Sequence, residues 1–251
     1  MVEKIGGGCS GKAVFNHWPA LLYPAREIMR SKRRNEGNGR SPSTNRERRG
    51  RLTFGLSPAD ARTLRALNTP ARIQKFVDSI EYDYAHSARS PQRVLRERKG
   101  HCLEGAMVAA AALRMNGRPP LLMDLEAVYD DDHVVALYRE HGLWGAIAKS
   151  NFAGLRFRAP VYRTLRELAL SYFEHYYNLR GQRTLRSYSQ AVNLARLDRL
   201  DWMTAEEDVW CVPELLIAAR HYPIVPDHVA RALPRLDRRS FEAGQHGSVK
   251  H

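Results

Sequence analysis

Among the side chains of this 251-residue sequence able to do covalent chemistry, Cys102 holds the most suggestive position. It follows Gly100-His101 and heads an alanine-rich run whose spacing predicts a helix from about Cys102 to Met115, closed by Asn116-Gly117. The first turn of a helix carries N–H groups with no intrahelical partner and the positive end of the helix dipole, and both favour a thiolate. The same N–H groups can hold an oxyanion as it forms on an attacked carbonyl. Gly100 allows a tight turn ahead of the sulfur without a crowding side chain. Ala106, Ala109, Ala110 and Leu113 allow close packing behind it. The competing account is a structural cysteine that packs as a small apolar residue.

A nucleophilic thiol needs a base within hydrogen-bond reach. Of the 10 histidines, His133 stands apart because it opens the apolar run "HVVALYR" directly after Asp130-Asp131-Asp132. A strand-opening residue stands at a sheet rim, where it can be held firmly and still reach a cleft. His101 is the poorer base, since adjacent residues of a helix point in different directions. Glu104 is expected to fix the helix start or contact a substrate. The stretch "GGGCSGKA" at residues 6–13 fits a phosphate-loop spacing. However, it lacks a preceding strand, has Ala13 where a hydroxyl should bind magnesium, and runs into Pro19. Nucleotide binding is therefore rejected.

The elements that must position these residues can be traced along the chain. Ser57-Pro58 and Pro70 open two helices, and "SPQRVLRERKG" is a short third that stops at Gly100. Beyond "GRPP" the period changes to that of strands: Leu121 to Val128, His133 to Arg139, and Leu143 to Ala148, the last two a hairpin. From Pro160 the pattern reads as helices again: "VYRTLRELALSYFEHYY", a piece around 188–199, "VPELLIAARHY" and "DHVARALPRL". The tyrosines and His175 of "SYFEHYYN" read as core and cleft wall. Arg156, Arg158, Arg163 and Arg166 read as a solvated face.

The stretch from Ser90 to Leu125 followed by "DDDHVVALYREHGLWGAI" resembles the core of the transglutaminase-like superfamily of papain-type cysteine enzymes. Gly100, Cys102, Ala106, Gly117, His133 and Trp144 match in order and spacing, over roughly residues 90–151. The resemblance implies a Cys-His-Asp triad with Cys102 as nucleophile and His133 as general base and acid. Here the chain departs from the pattern. The Asp should fall near Ala148 or Lys149, and the sequence there is "AIAKSNF". Ser150 or Asn151 is left to orient the imidazole, or the run Asp130–Asp132 from the other side.

Composition limits the alternatives. A hydrophobic share of 43% supports a real core. Residues 1–51 hold 12 basic and 4 acidic side chains, a net +8 of the total +13, which leaves +5 for the remaining 200 residues. Any nucleic-acid reading thus rests on the extension. Residues 30–51 are nearly devoid of apolar side chains and are expected to be disordered. Cys9, Cys102 and Cys211 form neither a disulfide framework nor a zinc site, which points to a reducing, cytoplasmic setting. No apolar run is long enough to cross a bilayer.

The expectation is an α+β fold, with helices packed on a small antiparallel sheet around a papain/transglutaminase-like core. A basic extension would span 1–51, the domain with its C-terminal helical part 52–238, and a loose tail 239–251. The expected activity is thiol-dependent acyl transfer, hydrolysis before crosslinking, on an amide or ester of a peptide, protein or small molecule, with no cofactor, no metal and no membrane partner. The alternative is a non-catalytic module of the same scaffold that binds peptide or nucleic acid.

Overall fold

A computed structural model describes residues 53–249. The expectations for the 1–51 extension, for "GGGCSGKA" and for Cys9 lie outside those residues. The described chain begins with α1 (Pro58–Ala66), α2 (Pro70–Asp78), β1 (Glu81–Tyr82), α3 (Pro91–Glu97), β2 (Lys99–Gly100) and α4 (Cys102–Met115). Strands β3 (Leu121–Ala127), β4 (His133–Glu140) and β5 (Leu143–Ile147) follow, then a 3₁₀ turn at Ala153–Leu155. The remainder is β6 (Arg158–Tyr162), α5 (Leu165–Phe173), β7 (Leu185–Ser189), β8 (Val192–Asn193), a 3₁₀ turn at Leu194–Leu200, α6 (Cys211–Ile217), β9 (His221–Pro223), α7 (Asp227–Ala232) and α8 (Arg238–Gln245).

Three of the early helices start the same way for the same reason. Ser57, Thr69 and Ser90 each accept a hydrogen bond from a first-turn N–H, and a proline follows at the first helical position. Helix α4 differs in kind. Every residue from Leu103 to Leu113 is buried, so it is apolar all round rather than amphipathic. Its alanines let neighbours approach closely on every side.

Strands β3 to β7, with β9, form an antiparallel sheet in the order β6-β5-β4-β3-β7-β9, and β8 also pairs with β3. Period-2 alternation along β3 and β4 sends side chains into two cores. Leu122, Val134, Ala136 and Ile147 face α1, α2, α4 and α6. Met123, Leu125, Val135 and Leu137 face α5 through Leu168, Ala169 and Tyr172. The fold is therefore α+β with an antiparallel sheet covered by helices on both faces. Among the described residues no helix is long and apolar enough to cross a membrane.

The sheet is larger than the small one expected, because the half after residue 157 holds four strands read as helix or left unassigned. Val161 and Tyr162 belong to edge strand β6, residues 185–189 and 192–193 to β7 and β8, and His221–Pro223 to β9. Of the four helical pieces expected there, three are present as α5, α6 and α7, each shorter than the pattern predicted, and the piece around 188–199 holds β7, β8 and a 3₁₀ segment. Residues 239–249 are not a loose tail either. Asp237 caps α8 by accepting from Ser240 N–H, and Phe241 packs on Tyr177 at 5.6 Å between ring centroids.

Candidate active site

The sulfur comes from Cys102, the first residue of α4, which is partly exposed. His133, the first residue of β4, is 4% exposed, with its ring edge-on to Tyr172 and Tyr176 at 6.3 and 6.5 Å. Helix start and strand start meet at one end of the sheet: Cys102 Sγ lies 3.8 Å from the carbonyl oxygen of Asp132, the residue before His133. The imidazoles of both His101 and His133 act on the sulfur electrostatically.

The two histidines are oriented alike. His133 Nε2 is 2.8 Å from the carbonyl oxygen of Leu155, and His101 Nε2 is 2.8 Å from that of Ser87. A carbonyl only accepts, so each Nε2 carries a proton, and Nδ1 is the ring nitrogen left for the sulfur. The carbonyls thereby select the tautomer whose Nδ1 can take a proton from the thiol. Burial pushes the Cys102 thiol up, but the neighbouring imidazoles of His101 and His133 outweigh it and bring the thiol down to about 6. Burial pushes His101 down, but the neighbouring Cys102 and Glu104 outweigh that and raise it to about 9. Between those values the thiolate and the His101 imidazolium coexist as an ion pair.

Cys211 supplies an internal control. It too heads a helix, α6, yet burial pushes its thiol up to about 11. A helix start alone does not make a thiolate here; the imidazoles do.

The scaffold that holds His101 is a buried ion network. Glu104, with no exposed surface, accepts from His101 N–H at 3.1 Å, Arg89 N–H at 2.8 Å and Ser87 Oγ at 2.9 Å. Arg89 pairs with Glu104, Asp83 and Glu97 at 3.2, 2.7 and 3.0 Å. Glu104 therefore fixes the helix start, as expected, and through Arg89 ties it to the segment whose Ser87 carbonyl orients His101.

The expected orienters of His133 are elsewhere. Ser150 Oγ accepts from Phe152 N–H, and Asn151 bonds Tyr84 and Val249. Asp130 accepts from Thr184 Oγ1, and Asp132 Oδ1 accepts from Ala127 N–H. Burial and the neighbouring Asp124 push the Asp132 carboxyl up to about 7. At the position where the resemblance calls for Asp, Ala148 is buried apolar surface. Lys149 points to the other face, where Nζ donates to Ile80 O at 2.5 Å, and burial lowers it to about 8. The group on His133 is thus a main-chain carbonyl, which no pattern of side chains could announce.

His101 acts on the sulfur although neighbouring helical side chains diverge, and its backbone gives the reason. With φ −102° and ψ −165° it is extended and caps α4 from outside, so the divergence of neighbouring helical side chains does not apply to it. Glu104 three residues later was the available signal, being the spacing of a residue that reaches back to its N-cap. Arg158 also departs from expectation: it is not a solvated residue but stacks over Tyr172 at 3.9 Å and donates to Gly154 O at 2.7 Å. Through these contacts it braces the turn that presents the Leu155 carbonyl.

Among the described residues no group of three or more His, Cys, Asp or Glu side chains is arranged to hold a metal ion. A cavity of about 530 Å³ lies apart from the sulfur, between α8 and the Ala153–Leu155 turn, lined by Glu174, His175, Tyr177 and Asp237 among others. No protein-family model matches the chain, and no curated protein matches it.

Proposed function

We propose that the protein is a thiol-dependent acyl-transfer enzyme, a transglutaminase-like cysteine hydrolase or peptidase acting on an amide or ester. The observation that carries this reading is the meeting of a partly exposed cysteine at the start of α4 with the start of β4, Cys102 Sγ 3.8 Å from the carbonyl before His133, with two imidazoles whose Nε2 atoms are fixed by backbone carbonyls and which lower the thiol. The Cys102 thiolate, its proton already passed to the imidazole pair, attacks the substrate carbonyl, and His133 is the ring that exchanges protons with the reacting groups. First-turn N–H groups of α4 face the oxyanion. As the C–N or C–O bond breaks, the imidazolium returns the proton to the leaving group, and a thioester remains. Water, losing a proton to His133, then attacks the thioester and releases acid and thiolate. An amine in place of water would give transfer.

A carbonyl in place of the usual carboxylate keeps the tautomer but lends the imidazolium less charge stabilisation. Tautomer selection is the larger part of what a triad carboxylate supplies, so chemistry is retained at reduced rate. The same missing carboxylate is what favours the alternative, a non-catalytic module of this scaffold that binds peptide. Turnover of a panel of peptide amides and activated esters separates the two. The enzyme reading expects hydrolysis that Cys102→Ala abolishes and that proceeds through a trappable acyl-enzyme. Turnover indifferent to Cys102→Ala, or none across the panel, overturns it.

A further inference from the structure

We propose that Asn151 and Tyr84 form a subsite that binds the main chain of an extended peptide, and that the segment after α8, reaching Val249, occupies it. The side chain of Asn151 makes both hydrogen bonds a neighbouring strand would make to one residue. Nδ2 donates to Val249 O at 2.9 Å, and Oδ1 accepts from Val249 N–H at 2.8 Å. Tyr84 Oη donates to the same carbonyl at 2.8 Å and accepts from Asn151 Nδ2 at 2.5 Å. The two side chains bind each other and one peptide residue in a closed set.

What is recognised is the backbone. The Val249 side chain is 56% exposed, so it contributes little packing. A subsite of this kind takes peptides of many sequences, since main-chain hydrogen bonding gives affinity without reading side chains.

Its place in the fold ties it to the sulfur. Tyr84 follows Asp83, whose N–H donates to Gly100 O just ahead of Cys102, and its ring meets Tyr82 edge-on at 5.0 Å. The Cys102 charge acts on Tyr82 in turn. On the other side, the β4–β5 register of Ala136 with Ile147, continued three residues, sets Ser150 opposite His133, and Asn151 is next in the chain. The Asn151–Tyr84 contact thus joins the segment that leads into β2, just ahead of Cys102, to the segment that follows β5. In the acyl-transfer reading, a peptide held there extends toward the sulfur.

This inference deepens the acyl-transfer reading, on which its substrate class rests: it makes the substrate a peptide and the resident segment a self-blocking one. The test uses protein shortened after Gln245, which removes the segment and keeps the Phe241–Tyr177 contact. The probe is a fluorescent hexapeptide of residues 246–251. Saturable binding is expected, weaker by about tenfold or more to full-length protein, where the resident segment competes, and to the shortened Asn151→Ala protein. A scrambled peptide should bind comparably, and one N-methylated at the valine should not. No binding, or binding indifferent both to N-methylation and to Asn151→Ala, overturns the subsite. The same titration on Cys102→Ala protein separates the two readings. Intact binding with no turnover by the parent protein sinks the enzyme and keeps the subsite. Peptide turnover whose KM ignores Asn151→Ala sinks the subsite and keeps the enzyme.

Discussion

At the scale of single residues, the contrast between Cys102 and Cys211 isolates what activates a thiol in this protein. Both head helices, and only the one with imidazoles on both sides is lowered. Alkylation by iodoacetamide against pH, read peptide by peptide, should therefore give a midpoint near 6 for Cys102, while Cys211 stays unreactive through neutral pH. The plateau rate will not be exceptional, because a less basic thiolate is also a weaker nucleophile; the midpoint is the informative quantity. His101→Ala and His133→Ala each remove a group that favours the charged form, so each should raise the midpoint by roughly one unit or more. The two should differ in turnover. His133→Ala removes the proton carrier, whereas His101→Ala removes a charge beside it. A midpoint near 8.5 in the parent protein, unmoved by either substitution, would rule out activation by these rings.

At the scale of elements, the helix and strand that meet at the site were readable because local chemistry and pattern agree. Ser-Pro and Thr-Pro starts, the alanine run ending at Asn116-Gly117, and the apolar alternation of β3 to β5 each carry their own signal. Strands β6 to β9 carried none of that strength. Strand β6 holds Pro160 and lies at a sheet edge, and β8 has two residues, so their pairing comes from tertiary contact rather than from sequence pattern. The orienting carbonyl of Leu155 sits on a three-residue turn for which the same is true. Gly105 shows the cost of bringing these elements together. A glycine inside a helix costs about 1 kcal/mol relative to alanine. Here, though, an added Cβ would sit 2.4 Å from Lys149 Cβ, an atom tied to the backbone just past β5. Gly105→Ala should consequently destabilise, by about 1–2 kcal/mol in urea unfolding, instead of giving the usual gain. It should also disturb the Cys102 titration, since α4 must move away from the strand that follows His133. A higher urea midpoint with an unchanged titration would show that α4 and the end of β5 are not locked as described.

At the scale of the whole molecule, charge and chemistry are separated along the chain. Both cores, the thiol and both imidazoles lie within residues 53–249, while +8 of the net +13 lies in residues 1–51. The charge distribution was legible from sequence because it needs only counting; which surface a nucleic acid would meet is a question of the extension alone. Lys and Arg that neutralise phosphates release counterions, and the logarithm of the affinity falls by about 0.9 per phosphate for each tenfold rise in salt. Nucleic-acid binding by the full chain should accordingly weaken steeply between 50 and 200 mM salt. A protein lacking residues 1–51 should lose that binding while keeping its thermal midpoint and its Cys102 alkylation profile, because the imidazoles that lower the thiol lie within residues 53–249. Duplex and single-stranded oligonucleotides titrated at several salt concentrations measure the slope for both proteins. If the shortened protein binds with the same slope, the folded part supplies the phosphate contacts, and the non-catalytic nucleic-acid-binding reading gains over the enzyme. If it loses both the binding and the low thiol midpoint, residues 1–51 act on the candidate site, and the separation of charge from the Cys102 chemistry along the chain is wrong.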